Sequence, residues 1–127
     1  MKTRDILLFV IVLLAVAVVF RFFPPGNAPP SENELVVHFI DVGQGDCALI
    51  QHMSTGILID AGEAANGPRV ARYLREAGVT RLEYVIATHP HSDHIGGLSE
   101  VVSGFDVKHI VMPDVTSTVV VQLSFVT

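Results

Sequence analysis

Tyr84-Val85-Ile86-Ala87-Thr88-His89-Pro90-His91-Ser92-Asp93-His94 decides how this chain is read: an apolar run opens directly into three imidazoles and a carboxylate within six residues. By average residue usage, a His-x-His-x-Asp-His string arises by chance in a chain of this length on the order of once in ten thousand. The bland alternative is a solvated polar loop. On extended backbone successive side chains point to opposite sides, so His89 and His91, two apart, turn their rings toward one point. Pro90 fixes its own φ and pushes His89 away from helical geometry. Asp93 and His94 are adjacent and cannot both share that direction on regular extended backbone, which predicts a second ligand cluster facing a second ion. Neutral imidazole with carboxylate suits zinc first, with manganese or iron as poorer fits. Gly96-Gly97 permits a close backbone approach, and Leu98 to Val102 reads as the start of a short helix.

Upstream, Leu35-Val36-Val37-His38-Phe39-Ile40-Asp41-Val42 reads as a strand, Gly43-Gln44-Gly45-Asp46 as a tight turn, and Cys47 to Gln51 as a second strand. Ile57-Leu58-Ile59-Asp60-Ala61-Gly62 is an apolar strand closed by a carboxylate. A helix follows: Pro68 suits its first turn, Val70, Tyr73, Leu74 and Ala77 recur at helical spacing, and Gly78 suits its stop. Val107 to Val111 alternates as a strand.

The histidine motif and the Gly-Gln-Gly-Asp turn together resemble the metallo-β-lactamase superfamily of hydrolases. The resemblance is to one branch in particular, the hydrolase domain of bacterial competence DNA-uptake channel proteins and its free-standing relatives, and runs from about Leu35 to Pro113. It implies an α+β fold, the αβ/βα sandwich of two mixed sheets with helices outside and a metal pair at one edge. By the same resemblance His89 and His91 hold the first ion and Asp93 and His94 the second, with a hydroxide between the ions attacking a carbonyl or phosphoryl centre. Asp93 would also orient that hydroxide as the catalytic carboxylate. Asp60 resembles the family's buried aspartate beneath the metal loop, hydrogen-bonded to a ligand; helix or turn capping explains it as well. Asp46 is placed at the rim of the site, where plain turn chemistry is the equal alternative. Asp41 has no assignment.

Four side chains are fewer than a pair of ions needs. The family supplies another histidine, a bridging aspartate and a final histidine further along; here the chain ends at Thr127 and the sole later histidine is His109. His109, like His38 and His52, reads as a strand histidine, packed or at the surface, rather than a ligand. The expectation is therefore the N-terminal half of the sandwich, a sheet unable to cover its own apolar face. The uncharged, β-branched tail from Val115 to Thr127 is either a strand or the product of a truncated or shifted reading frame.

At the start, Met1 to Asp5 is charged and Ile6 to Phe20 is unbroken apolar sequence, interrupted by Arg21 and resumed by Phe22-Phe23. Counted to Phe23 the segment reaches about 27 Å as a helix, near the roughly 30 Å hydrocarbon core, and predicts a transmembrane signal-anchor over residues 1–23. A cleaved signal peptide is the competing reading, since Ala15-Val16-Ala17 imitates a cleavage site. Lys2 and Arg4 outnumber Arg21, which leaves the amino terminus in the cytoplasm and the domain outside a cell membrane, or secreted if the segment is cut. Residues 24–34 form a Pro-rich spacer, extended and semi-rigid, and residues 35–127 the partial domain.

Residues 24–127 hold five basic and twelve acidic side chains. That balance argues against a nonspecific nucleic-acid binder, whose affinity rests on Lys and Arg, and a bound metal would offset it locally. Arg69, Arg72 and Arg75 read as a solvated helix face rather than a phosphate contact. The lone Cys47 excludes an internal disulfide and reads as a small buried hydrophobe. The expected function is a membrane-anchored, metal-dependent hydrolase acting on a small-molecule or nucleic-acid substrate, a phosphodiester if the branch is a guide, with lactam, thioester and lactone open. The rival is a catalytically inactive remnant or membrane-tethered interaction module without the downstream ligands.

Overall fold

The computed structural model describes residues 3–22 and 28–114. The expected tail strand from Val115 onward lies outside them. The predicted order of elements is present, with an unpredicted helical turn inside the motif loop: β1 (Val36–Phe39), β2 (Ala48–His52), β3 (Thr55–Ile59), α2 (Gly67–Glu76), β4 (Arg81–Ile86), that one-turn helix α3 (Ser92–Ile95), α4 (Leu98–Gly104) and β5 (Asp106–Val111), all preceded by α1 (Thr3–Phe22). The strands form one mixed sheet in the order β1-β2-β3-β4-β5. β1, β2 and β3 pair antiparallel through short turns, while β3, β4 and β5 run parallel because helical crossovers join them.

The cross-strand register sorts the sheet into two unlike faces. Leu49, Leu58 and Val85 stand on one face, together with Gln51, Gly56 and Leu82. Here α2 and α4 pack: Leu49, Leu58, Val70, Leu74, Leu82, Leu98 and Val101 are fully buried in one cluster. Gly56 is bare for a reason. A Cβ there would lie 2.7 Å from Leu49 Cδ1 and 3.2 Å from Leu82 Cδ2, so the two leucines close over it, and the register slips beside it so that Ile57 pairs with Tyr84.

The opposite face carries two rows read straight across the strands: Val37, Ile50, Ile57, Tyr84 and His109, then Phe39, Ala48, Ile59, Ile86 and Val111. None is buried, and Phe39 is 87% exposed. Among the described residues no element covers these rows. The fold is thus a mixed α+β layer pair, one sheet with helices on one side.

The apolar head forms a single 20-residue helix whose described side chains, Arg4 to Val18, are all exposed. Among the described residues no helix is long and apolar enough to cross a membrane, and the expected signal-anchor over residues 1–23 takes in residues 1, 2 and 23 outside them. Arg4 and Asp5 on one side and Arg21 on the other confine the charge-free run to Ile6–Phe20, fifteen residues. Residue 23 and the first part of the spacer, 24–27, lie outside the described residues.

Candidate metal centre

Strand polarity brings the motifs together. β1, β3 and β4 all point the same way, so the segments leaving their carboxyl ends (Ile40–Cys47, Asp60–Gly62 and Ala87–Gly97) meet at one edge of the sheet, where sites in open α/β sheets are built. Backbone hydrogen bonds lace them: Asp60 N–H to Ile86 O at 2.9 Å, Ala61 N–H to His94 O at 2.8 Å, Gly62 N–H to Asp46 O at 3.1 Å, and Gly97 N–H to Gly62 O at 3.0 Å. Gly97 lies so close to Ala61 that a Cβ would sit 2.4 Å from its carbonyl oxygen. The paired glycines therefore seat the motif loop directly on the β3 exit.

Asp60 is the buried hub. It is 1% exposed and left-handed, at φ 56°, which turns its carboxylate back under the loop. Oδ1 accepts the Thr88 N–H at 2.9 Å; Oδ2 accepts the Thr88 hydroxyl at 2.5 Å and faces His94 Nδ1 at 2.9 Å. With Nδ1 held by a carboxylate, Nε2 of His94 is the nitrogen left for a ligand. Thr88 Oγ1 also lies 3.0 Å from His89 Nδ1, so two rings of the motif are tied to the same carboxylate system.

His89 sits centrally: its ring centroid is 4.7 Å from that of His91 and 3.9 Å from that of His94. The expected division into a His89/His91 pair and a separate Asp93/His94 pair rested on extended backbone throughout. The backbone is extended at His91 (φ −92°, ψ 146°) but turns helical at Ser92, so Asp93 and His94 follow helical rather than strand directions. Hence His94 swings back onto His89. Donor chemistry fits a divalent ion, with imidazole nitrogens and a carboxylate on one loop; among the described residues, however, no group of three or more His, Cys, Asp or Glu is gathered closely enough to hold one.

Asp93 is partly buried on the loop. Its carboxyl is held below the usual carboxylate range: desolvation, the largest single influence, works upward and is outweighed together by its own backbone N–H, the Gln44 side chain and the nearby His94 and His91 rings. Gln44 went unnoticed in the sequence. The turn carrying it is pressed against the motif, since a Cβ on Gly45 (φ 95°) would fall 1.6 Å from the Asp93 carbonyl oxygen. Asp46, from the same turn, places Oδ2 3.7 Å from His94 Nδ1 with its side chain 80% exposed. A shallow hollow of about 330 Å³ lies between these loops, lined by Phe39, Asp46, Asp60, Thr88, His89 and His94 among others.

The remaining candidates lie apart. His109 stacks on Tyr84 on the bare face, centroids 5.1 Å apart, His52 Nε2 bonds the Glu32 carbonyl, and His38 faces Tyr73. Asp41 accepts the Gly43 N–H at 3.0 Å and lies 3.6 Å from Arg69. Arg75 lies over the Phe105 ring.

Compared with known proteins, residues 40–118 match the family described as the metallo-beta-lactamase superfamily. Recombination protein 2 of Haemophilus influenzae is 34% identical over 82 residues, which cover 61% of this chain and 10% of that protein. Competence protein ComA of Neisseria gonorrhoeae is 37% identical over 92 residues, covering 72% of this chain and 13% of that protein. The chain therefore spans about a tenth of the length of these relatives. Among solved structures, MEM-A1, a subclass B3 metallo-beta-lactamase isolated from a soil metagenome library, superposes with a TM-score of 0.50 at 28% identity, over 63% of this chain and 33% of that one.

Proposed function

The chain belongs to the metallo-beta-lactamase superfamily, and on that premise we propose that it carries the first metal-binding loop of a zinc-dependent hydrolase acting on phosphodiesters. One observation carries the reading: His94 is fixed through Nδ1 by the fully buried Asp60, the His89 ring stands beside it and the His91 ring beside His89, at the carboxyl edge of the parallel strands. His89, His91, Asp93 and His94 are the residues that would hold the metal, and a bound divalent ion supplies a water of pKa near about 7 with Lewis-acid polarisation of the substrate. Asp60 and Thr88 orient two of the rings, Gln44 hydrogen-bonds the Asp93 carboxyl, and Asp46 stands at the rim. The names of the relatives, a recombination protein and a competence protein, support a nucleic-acid phosphodiester over a lactam. The apolar α1, with exposed apolar side chains all round, supports a membrane anchor for the domain.

A second reading has an observation of its own. No ligand group of three or more is assembled among the described residues, which favours a tethered interaction module without turnover. Elemental analysis of the purified chain after zinc loading, with hydrolysis of bis(p-nitrophenyl) phosphate by the native chain and His91→Ala, separates the two. Stoichiometric zinc and activity that both fall in the variant support the hydrolase; absence of stoichiometric zinc supports the module.

A further inference from the structure

The bare side of the sheet holds no Asp, Glu, Lys or Arg in either of its rows, from Val37 to His109 and from Phe39 to Val111. Polar groups bound it in both directions along the strands. At one end lies the histidine loop; at the other the next register row is His52, Thr55, Arg81 and Asp106. An apolar centre inside a polar rim is the composition of a protein interface. Phe39 is 87% exposed, Val37 49% and Val111 46%. With the partly exposed positions between them, the rows leave roughly 600–700 Å² open in each copy, so two copies face to face remove up to about 1,300 Å² from water, inside the roughly 1,200–2,000 Å² of specific interfaces.

We propose that a second copy of the chain docks on this face, sheet against sheet, about a two-fold axis that runs along the strands between the two faces. That axis sets β1 of one copy over β5 of the other, β2 over β4, and β3 over itself. Bulk then meets space in both rows: Phe39 lies over the partner's Val111 and Ala48 over the partner's Ile86, while Val37 lies over the partner's His109 and Ile50 over the partner's Tyr84. No unpaired carboxylate, ammonium or guanidinium is buried between the rows. The same axis keeps the strand direction of both copies, so two chains, on the reading of α1 as an anchor, enter their sheets from one bilayer. An axis across the strands would send the two anchors to opposite sides. Area at the foot of the interface range gives a weak pair, with Kd on the order of 10–100 µM, and confinement to one membrane surface raises the local concentration to meet it.

The test is sedimentation equilibrium of the full chain in density-matched detergent micelles over about 5–500 µM, with the variants Val37→Lys, His109→Glu and the two combined. Both positions are exposed, so each variant is expected to keep the urea midpoint of the dilute native chain and to report on the face rather than on folding. A reversible monomer–dimer equilibrium is expected, weakened about ten-fold or more by either single substitution, which sets a lone charge into the contact. The combined variant is expected to associate within about three-fold of the native chain, because the two substituted positions face one another across the axis; within one copy they lie on opposite edges of the sheet, about 19 Å apart. The proposal is overturned by a chain that stays monomeric, by association that neither single variant weakens, as packing through α1 alone would give, or by a combined variant no tighter than the single ones. In a monomeric chain, broadening of the Val37 and Val111 methyl signals by a doxyl-labelled lipid assigns the face to the bilayer instead.

Discussion

Asp60 and His94 are thirty-four residues apart in sequence and 2.9 Å apart in space, carboxylate Oδ2 to ring Nδ1, so a buried carboxylate at the end of β3 fixes a ring of the histidine loop. The same carboxylate accepts both the amide and the hydroxyl of Thr88. Asp60→Asn keeps the shape and tolerates the left-handed backbone but removes the charge that fixes the ring. Zinc affinity, measured by competition with a chromophoric chelator, is expected to fall about 10–100-fold. Urea unfolding is expected to show a loss of about 1–3 kcal/mol.

Gly45 and Gly43 belong to one turn and differ in what surrounds them. Alanine at Gly45 drives a methyl into the Asp93 carbonyl on top of its φ of 95°, whereas alanine at Gly43 meets open space and pays for φ 73° alone. The expected loss is about 1 kcal/mol for Gly43→Ala, and for Gly45→Ala larger by roughly 1–3 kcal/mol with the turn displaced from the motif. Denaturant midpoints give the order, and His94 ring shifts should move in Gly45→Ala only.

Burial pushes the Cys47 thiol up from 9.0 to about 12, with the Asp60 charge adding to the effect. A raised acid favours the folded chain's protonated form, so stability is unaffected below about pH 9 and declines between about pH 9 and pH 12, where the unfolded chain alone releases the proton. Unfolding free energy measured across that window should slope downward in the native chain. Cys47→Ala should flatten the slope, and iodoacetamide at neutral pH should modify the folded protein far more slowly than the unfolded one.

Leu58 and Phe39 make a contrast in cost. Leu58→Ala empties the centre of the covered face, where the side chain is fully buried, and should lower stability by about 2–5 kcal/mol. Phe39→Ser, 87% exposed on the other face, should change it by no more than about 0.5 kcal/mol and raise the concentration at which the chain self-associates. Chemical denaturation and light scattering check the pair.

The strand and helix order was legible because period-two apolar runs end at glycines and carboxylates, while Val70, Tyr73, Leu74 and Ala77 keep helical spacing. The contact of Gln44 with Asp93 was not, since it depends on how two loops dock, and a Gly-x-Gly turn states only that the backbone can bend. The helical turn at Ser92 also escaped notice: Pro90 argued against helix, and its influence ends at His91. Gln51 gave no signal either. A glutamine near the end of an apolar strand reads as an exposed end, and its burial follows from the closing of the α2 C-terminus over it.

The two uncovered rows of the sheet set a thermodynamic signature. Heat capacity of unfolding tracks the nonpolar area that folding removes from water, and among the described residues ten cross-strand positions stay at least partly exposed. Calorimetry of the chain should accordingly return a per-residue increment below the usual roughly 12–15 cal/mol/K, with a correspondingly shallow urea dependence and a flattened stability curve against temperature.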